Sequence, residues 1–340
     1  MKIRSKCPLR LGIAGGGTDV SPYCDVHNGA ILNGTINLYA YTFLETIDDH
    51  LSYFRADDIN KYDSVTTAHE VSLDGPLMLH RAVYKRIMEQ FNGGQYIPLK
   101  VTTYCDALPG SGLGSSSAIV VSMLEAYRQL LSLPLGEYDL ARLAYEIERS
   151  DCKLDGGKQD QYAAAFGGFN FMEFASDDRV ILNPLRIRSH IINELESSTL
   201  LFYTGVSRES ANIIKDQVNS INKGGSSLEA MHEVKRSAYD LKAALLRGDI
   251  ESMALDLKIS WEAKKATSKS ISNPHIVAIE NAIFDAGATS MKISGAGGGG
   301  FVMIFVKPEL KRAVEKKLEQ FDGQVVNFEF TNEGVVSWKV

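Results

Sequence analysis

Three short glycine-rich segments constrain this chain more than any other feature of its 340 residues. They run from Gly12 to Asp19, from Leu108 to Ser117 and from Ser294 to Gly300, and the first and third follow β-like stretches. Glycine lets a ligand approach the backbone without meeting a Cβ atom. A single segment of this kind is most often a tight turn. Three of them, one rich in serine, indicate loops that face a shared cleft.

The composition of the chain argues against some classes of binding partner and indicates a cellular compartment. The chain has 36 Lys and Arg against 42 Asp and Glu, a net charge of -6, and its charges are interspersed, which argues against a nucleic-acid partner. No run of about 18 apolar residues predicts a membrane span, and the amino end has no secretory core. The four cysteines are far apart and form no zinc pattern, which favours reduced thiols and a cytoplasmic location. The length predicts about two domains.

The second glycine segment opens a predicted helix. Apolar residues repeat at helical spacing from Ile119 to Leu131, until Pro134 ends them. A helix start offers free N–H groups and a partial positive charge, so this Gly/Ser loop predicts a phosphate site. The Walker lysine is absent, so the loop is not an ordinary P-loop. The third segment matches G-x-G-x-x-G, but a strand follows it rather than a helix, which excludes a Rossmann fold.

Two carboxylates flank a turn between the second and third loops. A helix-like stretch from Glu137 to Arg149 carries Glu148 near its end, and Asp160 begins the next element. If both reach the cleft, one can hold Mg²⁺ with a loop hydroxyl while the other accepts a proton from a substrate alcohol. Taken alone, the same residues could form a solvated, charge-capped loop. The seven histidines form no local ligand pair, so we assign them no role.

The order and spacing of the three segments resemble the motifs of the galactokinase, homoserine, mevalonate and phosphomevalonate (GHMP) kinase superfamily. Pro8 to Asp19 is similar to its first motif, Pro109 to Ser117 to its ATP loop and Lys292 to Gly300 to its third motif. Within the superfamily, Asn33 to Ile36 and Gly157 to Tyr162, with the Gly-Gly-Gly-Thr-Asp end of the first motif, most resemble the bacterial kinases of D-glycero-D-manno-heptose 7-phosphate.

The resemblance implies an α+β fold with two lobes. We expect an N-terminal domain with the ATP loop over residues 1–185 and a C-terminal, ferredoxin-like domain over residues 186–340. The residue patterns agree with alternating helices and strands in the second half. They predict helices over 227–246, 249–263, 274–286 and 308–320 and a last strand over 325–330.

The resemblance also implies roles for individual residues. Asp160 matches the catalytic aspartate, and Arg10 matches the arginine that steadies it and the transferred phosphoryl group. Ser116 and Glu148 match the ligands of Mg²⁺. The substrate-binding positions are Gly17, Thr18 and Asp19, of which Asp19 matches the aspartate that binds sugar hydroxyls. The ATP-binding positions are Pro109, Gly110, Ser111, Gly112, Leu113, Gly114, Ser115, Ser116 and Ser117. The third-motif positions are Ser294, Gly295, Gly297 and Gly298.

The implied reaction transfers the γ-phosphoryl group of ATP to the anomeric hydroxyl of D-glycero-D-manno-heptose 7-phosphate. Its 1,7-bisphosphate product would serve the synthesis of nucleotide-activated heptose for capsule, lipopolysaccharide or S-layer glycans. Such a substrate needs a second anion pocket for its far phosphate. The basic candidates are Lys153, Lys158 and Arg208, and we favour Lys158 because it lies two residues from Asp160.

Alternatives stay open at this level. The chain could phosphorylate another sugar, such as a fucose-like free sugar, or it could be a sensor that binds ATP and sugar without turnover. The chain could also belong to the diphosphate decarboxylase branch of the superfamily. The Thr18-Asp19 pair argues against that branch, because it favours a polyhydroxy substrate. The sequence leaves open whether Asp160 is a general base or only orients the hydroxyl and stabilises charge. It also leaves open the oligomeric state.

Overall fold

The computed structural model describes residues 1–206 and 210–340. Its strands are β1 Lys2–Ala14, β2 Gly29–Thr46, β3 Leu51–Ala56, β4 Lys61–Thr66, β5 Leu99–Cys105, β6 Phe169–Phe174, β7 Val180–Pro184, β8 Thr199–Tyr203, β9 Ala288–Ile293, β10 Phe301–Val306, β11 Gln324–Val326 and β12 Val336–Lys339. Its α-helices are α1 Tyr23–His27, α2 Met78–Phe91, α3 Ser115–Leu131, α4 Glu137–Glu146, α5 Gln159–Phe166, α6 Ser189–Ser197, α7 Ser210–Asn222, α8 Ser226–Arg247, α9 Ile250–Thr267, α10 Pro274–Asp285 and α11 Lys311–Leu318.

The first sheet has eight strands in the order β12-β1-β2-β5-β3-β4, with β6 paired to β2 and β7 paired to β6. The long strand β2 changes partner along its length: its first half pairs with β6 and its second half with β5, both antiparallel. Strand β1 lies against β2 through its whole length, with irregularities after Pro8 and after Gly12. These irregularities come just before and at the first glycine segment, which leaves the sheet at Ala14.

The second sheet contains β8 to β11 in the order β11-β8-β10-β9, and every neighbouring pair is antiparallel. Numbered along the chain, this is the 4-1-3-2 order of a ferredoxin-like unit, so the predicted α+β fold is confirmed. The third glycine segment is the connection between β9 and β10. The sheet interactions therefore hold both ends of that loop.

Helices α3 and α10 begin and end where residues in the sequence mark helix boundaries. Helix α3 buries the apolar stripe predicted after the second glycine segment and ends at Leu131. Helix α10 begins with Pro274, and the side chain of Asn273 accepts a hydrogen bond from the backbone N–H of Ile276. Both are regular start signals. None of the helices in the described part of the chain is long and apolar enough to cross a membrane.

The predicted strand over 325–330 is wrong in its extent. Strand β11 ends at Val326, and Phe330 makes only an isolated bridge to Ile36. Beyond β11 a side chain takes the place of a strand partner: the N–H of Phe330 donates to Glu196 at 2.6 Å. The chain then returns to the first sheet as β12, beside β1. The division into 1–185 and 186–340 remains a prediction.

One apolar core runs through both halves of the chain. The buried cluster that contains Leu9 of β1 and Val120 of α3 also contains Leu241 of α8, Leu257 of α9 and Met303 of β10. A second cluster lies on the other face of the small sheet and includes the buried Trp261. All four cysteines are buried and free. The two sheets are thus joined by continuous packing, which fixes the loops between them.

Candidate active site

The three glycine segments meet in one cleft of about 240 Å³. The second and third touch through their backbones: the N–H of Phe301 donates to the carbonyl of Ser111 at 2.9 Å. The first is tied to both, since the N–H of Arg10 donates to Leu113 O at 3.1 Å and the N–H of Gly12 reaches Ser294 Oγ at 3.3 Å. The shared cleft predicted from the sequence is therefore present.

Close approach explains why glycine is needed where the loops cross. A Cβ atom at position 112 would lie 2.1 Å from the carbonyl oxygen of Ser294, and one at position 300 would lie 2.3 Å from that of Ser111. Real Cβ atoms do not approach backbone so closely. Gly112 and Gly300 also have φ values of +85° and +87°, which side chains disfavour. These residues therefore permit the contact between the lobes.

The ATP loop divides into lining and anchoring residues. Gly110, Gly112 and Gly114 all have positive φ, and Gly114 is the N-cap of α3. The residues of this loop that line the cleft are Gly110, Gly112, Gly114, Ser115, Ser116 and Ser117. Leu113 and Ser111 are buried and anchor the loop, while Pro109 does not line the cleft. The start of α3 therefore lies at the cleft, and the free N–H groups of a helix start can bind a phosphate.

Arg10 and Asp160 form a close ion pair at the centre of the cleft. The Nε and Nη2 atoms of Arg10 lie 2.7 and 2.6 Å from Oδ1 of Asp160. The arginine side chain is only 5% exposed, and its Nη1 donates to the carbonyl of Gly112 at 2.6 Å. Asp160 lies in the first turn of α5 and remains 24% exposed toward the cleft. The pair predicted to be catalytic is thus brought together, with the carboxylate accessible to a substrate.

Glu148 is held beside the serines of the ATP loop. Its Oε1 accepts from Ser116 at 3.2 Å, and its Oε2 accepts from Ser117 at 2.8 Å and from the amide of Gln161 at 2.5 Å. Glu148 belongs to a π-helical turn, Ile147–Asp151, that follows α4. Turns of this type often occur at functional sites. Here the turn directs the carboxylate toward the start of α3.

The donor set around Glu148 fits Mg²⁺. This ion prefers oxygen ligands and is usually held by one or two carboxylates together with substrate phosphates and water. A carboxylate and a hydroxyl, those of Glu148 and Ser116, face the cleft within 3.2 Å of each other. Among the described residues there is no group of three or more His, Cys, Asp or Glu that would form a complete metal cage. An ion bound at Glu148 and Ser116 would therefore need further ligands from outside the described residues.

Asp19 lines the cleft beside the start of α5, the helix that carries Asp160. Its Oδ2 accepts from the N–H of Gln159 at 3.0 Å, and its Oδ1 accepts from the N–H of Gly17 at 3.3 Å. Burial raises the pKa of Asp19 above its usual value, while the bond from Gln159 opposes that shift. A Cβ at position 157 would lie 1.9 Å from the carboxylate, so Gly157 makes room for it. Asp19 and Gly17 both line the cleft, as predicted.

The third-motif loop contributes only part of its residues to the cleft. The hydroxyl of Ser294 donates to Gly112 O at 3.0 Å, and Gly295 lines the cleft. Gly297 and Gly298 instead pack against the turn at Ile271, whose carbonyl accepts from the N–H of Gly298 at 2.8 Å. These two glycines support the loop rather than face a ligand.

Two predicted substrate residues are placed elsewhere by the structure. Thr18 is fully buried: its hydroxyl donates to Gly15 O and Ala30 O and accepts from the N–H of Ala30, so it fixes the loop to β2. Lys158 turns away from the cleft into a second cavity, where it pairs with Asp178. Residues i and i+2 at a helix start point to different sides, so closeness in sequence to Asp160 does not bring Lys158 to the cleft. Its role in binding a phosphate stays a prediction. Arg208 lies outside the described residues.

Sequence reasoning missed cleft residues that come from other elements. Lys264 of α9 and Gln217 of α7 line the cleft, and the ammonium group of Lys264 donates to Gly16 O at 2.7 Å and to Gln217 Oε1 at 3.1 Å. Burial lowers the pKa of Lys264 to about 8. A signal was present: Met253, Leu257 and Lys264 share the buried face of α9, and a lysine on such a face is unusual.

Comparisons with known proteins support the geometry. The family model for the GHMP kinase N-terminal domain matches residues 78–168, and that for the GHMP kinase C-terminal domain matches residues 241–323. The chain is 45% identical, over 99% of both chains, to the D-glycero-alpha-D-manno-heptose 7-phosphate kinase of Campylobacter jejuni. It is 26% identical to the L-fucokinase/L-fucose-1-P guanylyltransferase of Bacteroides fragilis, over 93% of this chain and 36% of that one.

Solved structures agree over the full length. A D-glycero-D-manno-heptose 1-phosphate kinase from Bacteroides thetaiotaomicron is 44% identical, covers 99% of each chain and has a TM-score of 0.85. A putative sugar kinase from Campylobacter jejuni is also 44% identical, over 100% of this chain and 98% of that one, with a TM-score of 0.83. The match therefore includes both lobes and all three loops, and this chain belongs to the GHMP kinase family.

Proposed function

We propose that this chain transfers the γ-phosphoryl group of ATP to the anomeric hydroxyl of D-glycero-D-manno-heptose 7-phosphate, giving the 1,7-bisphosphate. The observation that carries the proposal is the identity of 45% over the whole length of a kinase of that substrate. The accessible Asp160 carboxylate beside Arg10 and the start of α3 is the geometry that this transfer needs. We further propose that the product serves the synthesis of nucleotide-activated heptose.

The residues of the cleft divide the work of an in-line transfer. Phosphoryl transfer requires mainly positioning and charge neutralisation. Asp160 accepts a hydrogen bond from the attacking hydroxyl and keeps that oxygen directed at the phosphorus atom. Arg10 holds the carboxylate in place from one side and offers positive charge near the transferred group. The N–H groups at the start of α3 bind the nucleotide phosphates, and Asp19 accepts hydrogen bonds from sugar hydroxyls.

Ser116 and Glu148 would hold Mg²⁺ together with the nucleotide. When bound, the ion neutralises charge on the phosphate oxygens. The hydrogen bonds from Ser117 and Gln161 fix the second oxygen of Glu148, which leaves its first oxygen and the Ser116 hydroxyl at the cleft. The proposed division is therefore one carboxylate for the metal and another for the substrate alcohol.

The test is a coupled assay of ADP release over a panel of sugars. The panel contains D-glycero-D-manno-heptose, its 7-phosphate and 1-phosphate, D-mannose, D-mannose 6-phosphate and L-fucose. We expect the highest kcat/KM with the heptose 7-phosphate. The 1-phosphate has no free anomeric hydroxyl and is expected to be inert. Activity confined to unphosphorylated sugars would reject the assignment in favour of a free-sugar kinase, and absence of ADP release with every sugar would favour a sensor.

A further inference from the structure

The far phosphate of the proposed substrate needs a binding group, and the structure removes the residue that sequence alone favoured. Lys158 lies in a separate cavity of about 550 Å³, where Asp178 already neutralises its charge. Lys153 does not line the cleft. Arg208, the third candidate, lies outside the described residues. Among the described residues near Asp19, another cation is available for a distal phosphate.

A side arm of about 260 Å³ extends the cleft at this end. The two cavities share Val20, Arg149, Asp155 and Gly156 among their lining residues, whereas no residue of the ATP loop or of the third-motif loop lines the arm. The arm therefore opens from the sugar end of the cleft. Its position suits the part of a sugar that points away from the nucleotide.

Among the described residues, Arg149 is the one cation that lines both cavities. It follows Glu148 in the π-helical turn, and its side chain is only 15% exposed. The guanidinium makes a hydrogen bond of 3.2 Å to Gly157 O and lies 3.9 Å from the Glu148 carboxylate, which Ser116, Ser117 and Gln161 already engage. Its buried Nε has no hydrogen-bond partner. The guanidinium also lies over the ring of Tyr145, 5.9 Å from its centroid. A mostly buried guanidinium whose Nε has no hydrogen-bond partner is costly unless an anion completes it.

The Gly156-Gly157 pair places this guanidinium near the sugar site. A Cβ at position 156 would lie 2.4 Å from Nη2 of Arg149, and a Cβ at position 157 would lie 1.9 Å from the Asp19 carboxylate. Since consecutive Cα atoms are about 3.8 Å apart and each Cβ lies one bond from its Cα, the carboxylate and the guanidinium lie within about 11 Å of each other. A sugar whose hydroxyls contact Asp19 can thus present a phosphate on its far end to Arg149.

The remaining polar groups of the arm are compatible with a phosphate. Lys215, Ser21 and Asn219 line it, and Asp155, the one carboxylate among its described lining residues, is paired with Lys215 at 3.1 Å. Arg149 and Lys215 together outweigh Asp155 by one positive charge. A planar guanidinium is also the side chain best suited to bind phosphate through two parallel hydrogen bonds.

We propose that Arg149 binds the distal phosphate of the sugar and so makes the enzyme specific for a phosphorylated substrate. The inference rests on the proposed function, because it assumes that the substrate carries a far phosphate. It assigns the side arm as the phosphate subsite and leaves the nucleotide phosphates to the ATP loop.

The experiment compares Arg149→Gln with the wild type on two sugars, D-glycero-D-manno-heptose 7-phosphate and the same heptose without phosphate. Loss of a charge-assisted bidentate contact should lower kcat/KM for the phosphorylated sugar about 10- to 100-fold, mainly through KM. The kcat/KM for the unphosphorylated heptose and the KM for ATP should stay within about threefold of their wild-type values. Arg149→Lys should recover part of the loss.

Two further variants serve as controls. Arg142→Gln removes a 71% exposed arginine of α4 and should leave all constants unchanged. Lys158→Gln tests the residue favoured by sequence. Where unphosphorylated heptose turns over too slowly, calorimetric titration of both sugars into Asp160→Asn and into the Asp160→Asn, Arg149→Gln double variant gives the same comparison by binding.

The outcomes separate the inference from the proposed function. If the wild type does not phosphorylate the heptose 7-phosphate, the proposed function itself fails. If the wild type does so but Arg149→Gln keeps its preference for the phosphorylated sugar, only the inference is overturned. If Arg149→Gln raised the KM for ATP as much as the KM for the sugar phosphate, Arg149 would lie at the nucleotide instead. If Lys158→Gln selectively lowered kcat/KM for the phosphorylated sugar, the phosphate subsite would lie in the second cavity. Either result contradicts the proposal.

Discussion

The Asp160 carboxylate owes its position to a guanidinium that cannot move far. Arg10 contacts Oδ1 of Asp160 through two nitrogens and Gly112 O through a third, and β1 fixes its backbone. A group held in this way needs no reorganisation when charge develops during transfer. The side chain that we propose meets the substrate is thus positioned by one that is almost fully buried.

Replacing Asp160 by Asn should therefore affect turnover rather than nucleotide binding. We expect kcat to fall at least 100-fold, since a positioned carboxylate contributes about 10²- to 10⁴-fold, while the Kd for ATP changes by less than about threefold. Steady-state kinetics and calorimetric titration of ATP measure the two quantities. Asp177→Asn, at an exposed position, is the matched control. Residual activity of Asp160→Asn within tenfold of the wild type would remove Asp160 from the mechanism.

A buried lysine that donates to the backbone of the first motif should make the free energy of unfolding depend on pH. The ammonium group of Lys292 donates to Gly12 O at 2.5 Å and to Ile13 O at 3.2 Å. Burial, with a smaller effect of Lys264 and Arg10, lowers its pKa from 10.5 to about 7. Between these values the unfolded chain binds more protons than the folded one. The contribution of Lys292 to the free energy of unfolding therefore rises with pH from about 7 to about 10.5.

The variant Lys292→Met should remove this dependence. Urea unfolding at pH 7, 8 and 9 should show a slope for the wild type that exceeds that of the variant by up to about 1.4 kcal/mol per pH unit. Slopes are compared because the variant also leaves two carbonyls without their donor. Lys316→Met, at an exposed position of α11, should keep the wild-type slope. Parallel slopes for the wild type and Lys292→Met would show that Lys292 titrates normally.

Sequence predicted the site residues that a short motif carries and missed those that only tertiary structure brings near. Arg10, Ser116 and Asp19 lie in segments that resemble family motifs, and their predicted roles came from that resemblance. Arg149 and Lys264 lie on helices whose orientation toward the cleft depends on distant packing. Thr18 shows the converse, because a motif residue can serve the loop rather than the ligand.

Among the elements, the crossing of the ATP loop and the third-motif loop is the most sensitive to change. The sequence predicts helix α3 because the spacing of its apolar residues is a local signal. It does not predict the crossing of the two loops, because the crossing joins residues nearly two hundred positions apart. The contact between Gly112 and Ser294 holds the start of α3 against the connection of β9 and β10. Any side chain at position 112 would separate the two loops.

Gly112→Ala should consequently both destabilise the protein and raise the KM for ATP. The control is Gly94→Ala: Gly94 has a similar φ, +76° against +85°, but a Cβ there meets nothing within 4 Å. Alanine in a left-handed conformation costs about 1–2 kcal/mol at either site. We expect Gly112→Ala to lose clearly more stability in chemical denaturation and to raise the KM for ATP at least tenfold. Equal effects of the two variants would mean that the loop contact contributes nothing.

At the scale of the whole molecule, the two sheets share one core and one cleft. Apolar residues of α8 and α9 pack in the same cluster as those of β1 and α3, and β12 returns from the carboxyl end to pair with β1. This return could not be read from sequence, since nothing local in residues 336–339 identifies their partner strand. Continuous packing of this kind predicts that the halves do not unfold independently.

A single unfolding transition is the expected result. In the variant Trp338→Phe the remaining tryptophan is Trp261, which is buried in the cluster beside the second sheet. Its fluorescence reports on that sheet, whereas far-ultraviolet circular dichroism reports on both. The two signals should give coincident midpoints in urea, as cooperative unfolding requires. Midpoints that differ beyond experimental error would show that the two halves are separate folding units.

The central claim is that this cleft phosphorylates the anomeric oxygen of a sugar that already carries a distant phosphate. Phosphorus NMR of the products formed from ATP and D-glycero-D-manno-heptose 7-phosphate tests it most directly. With the wild type, a glycosyl phosphate resonance should grow in step with the ADP resonances while the 7-phosphate resonance remains. With Asp160→Asn, neither the glycosyl phosphate nor ADP should form. Phosphorylation at any other carbon, or transfer only to sugars without a phosphate, would contradict the account.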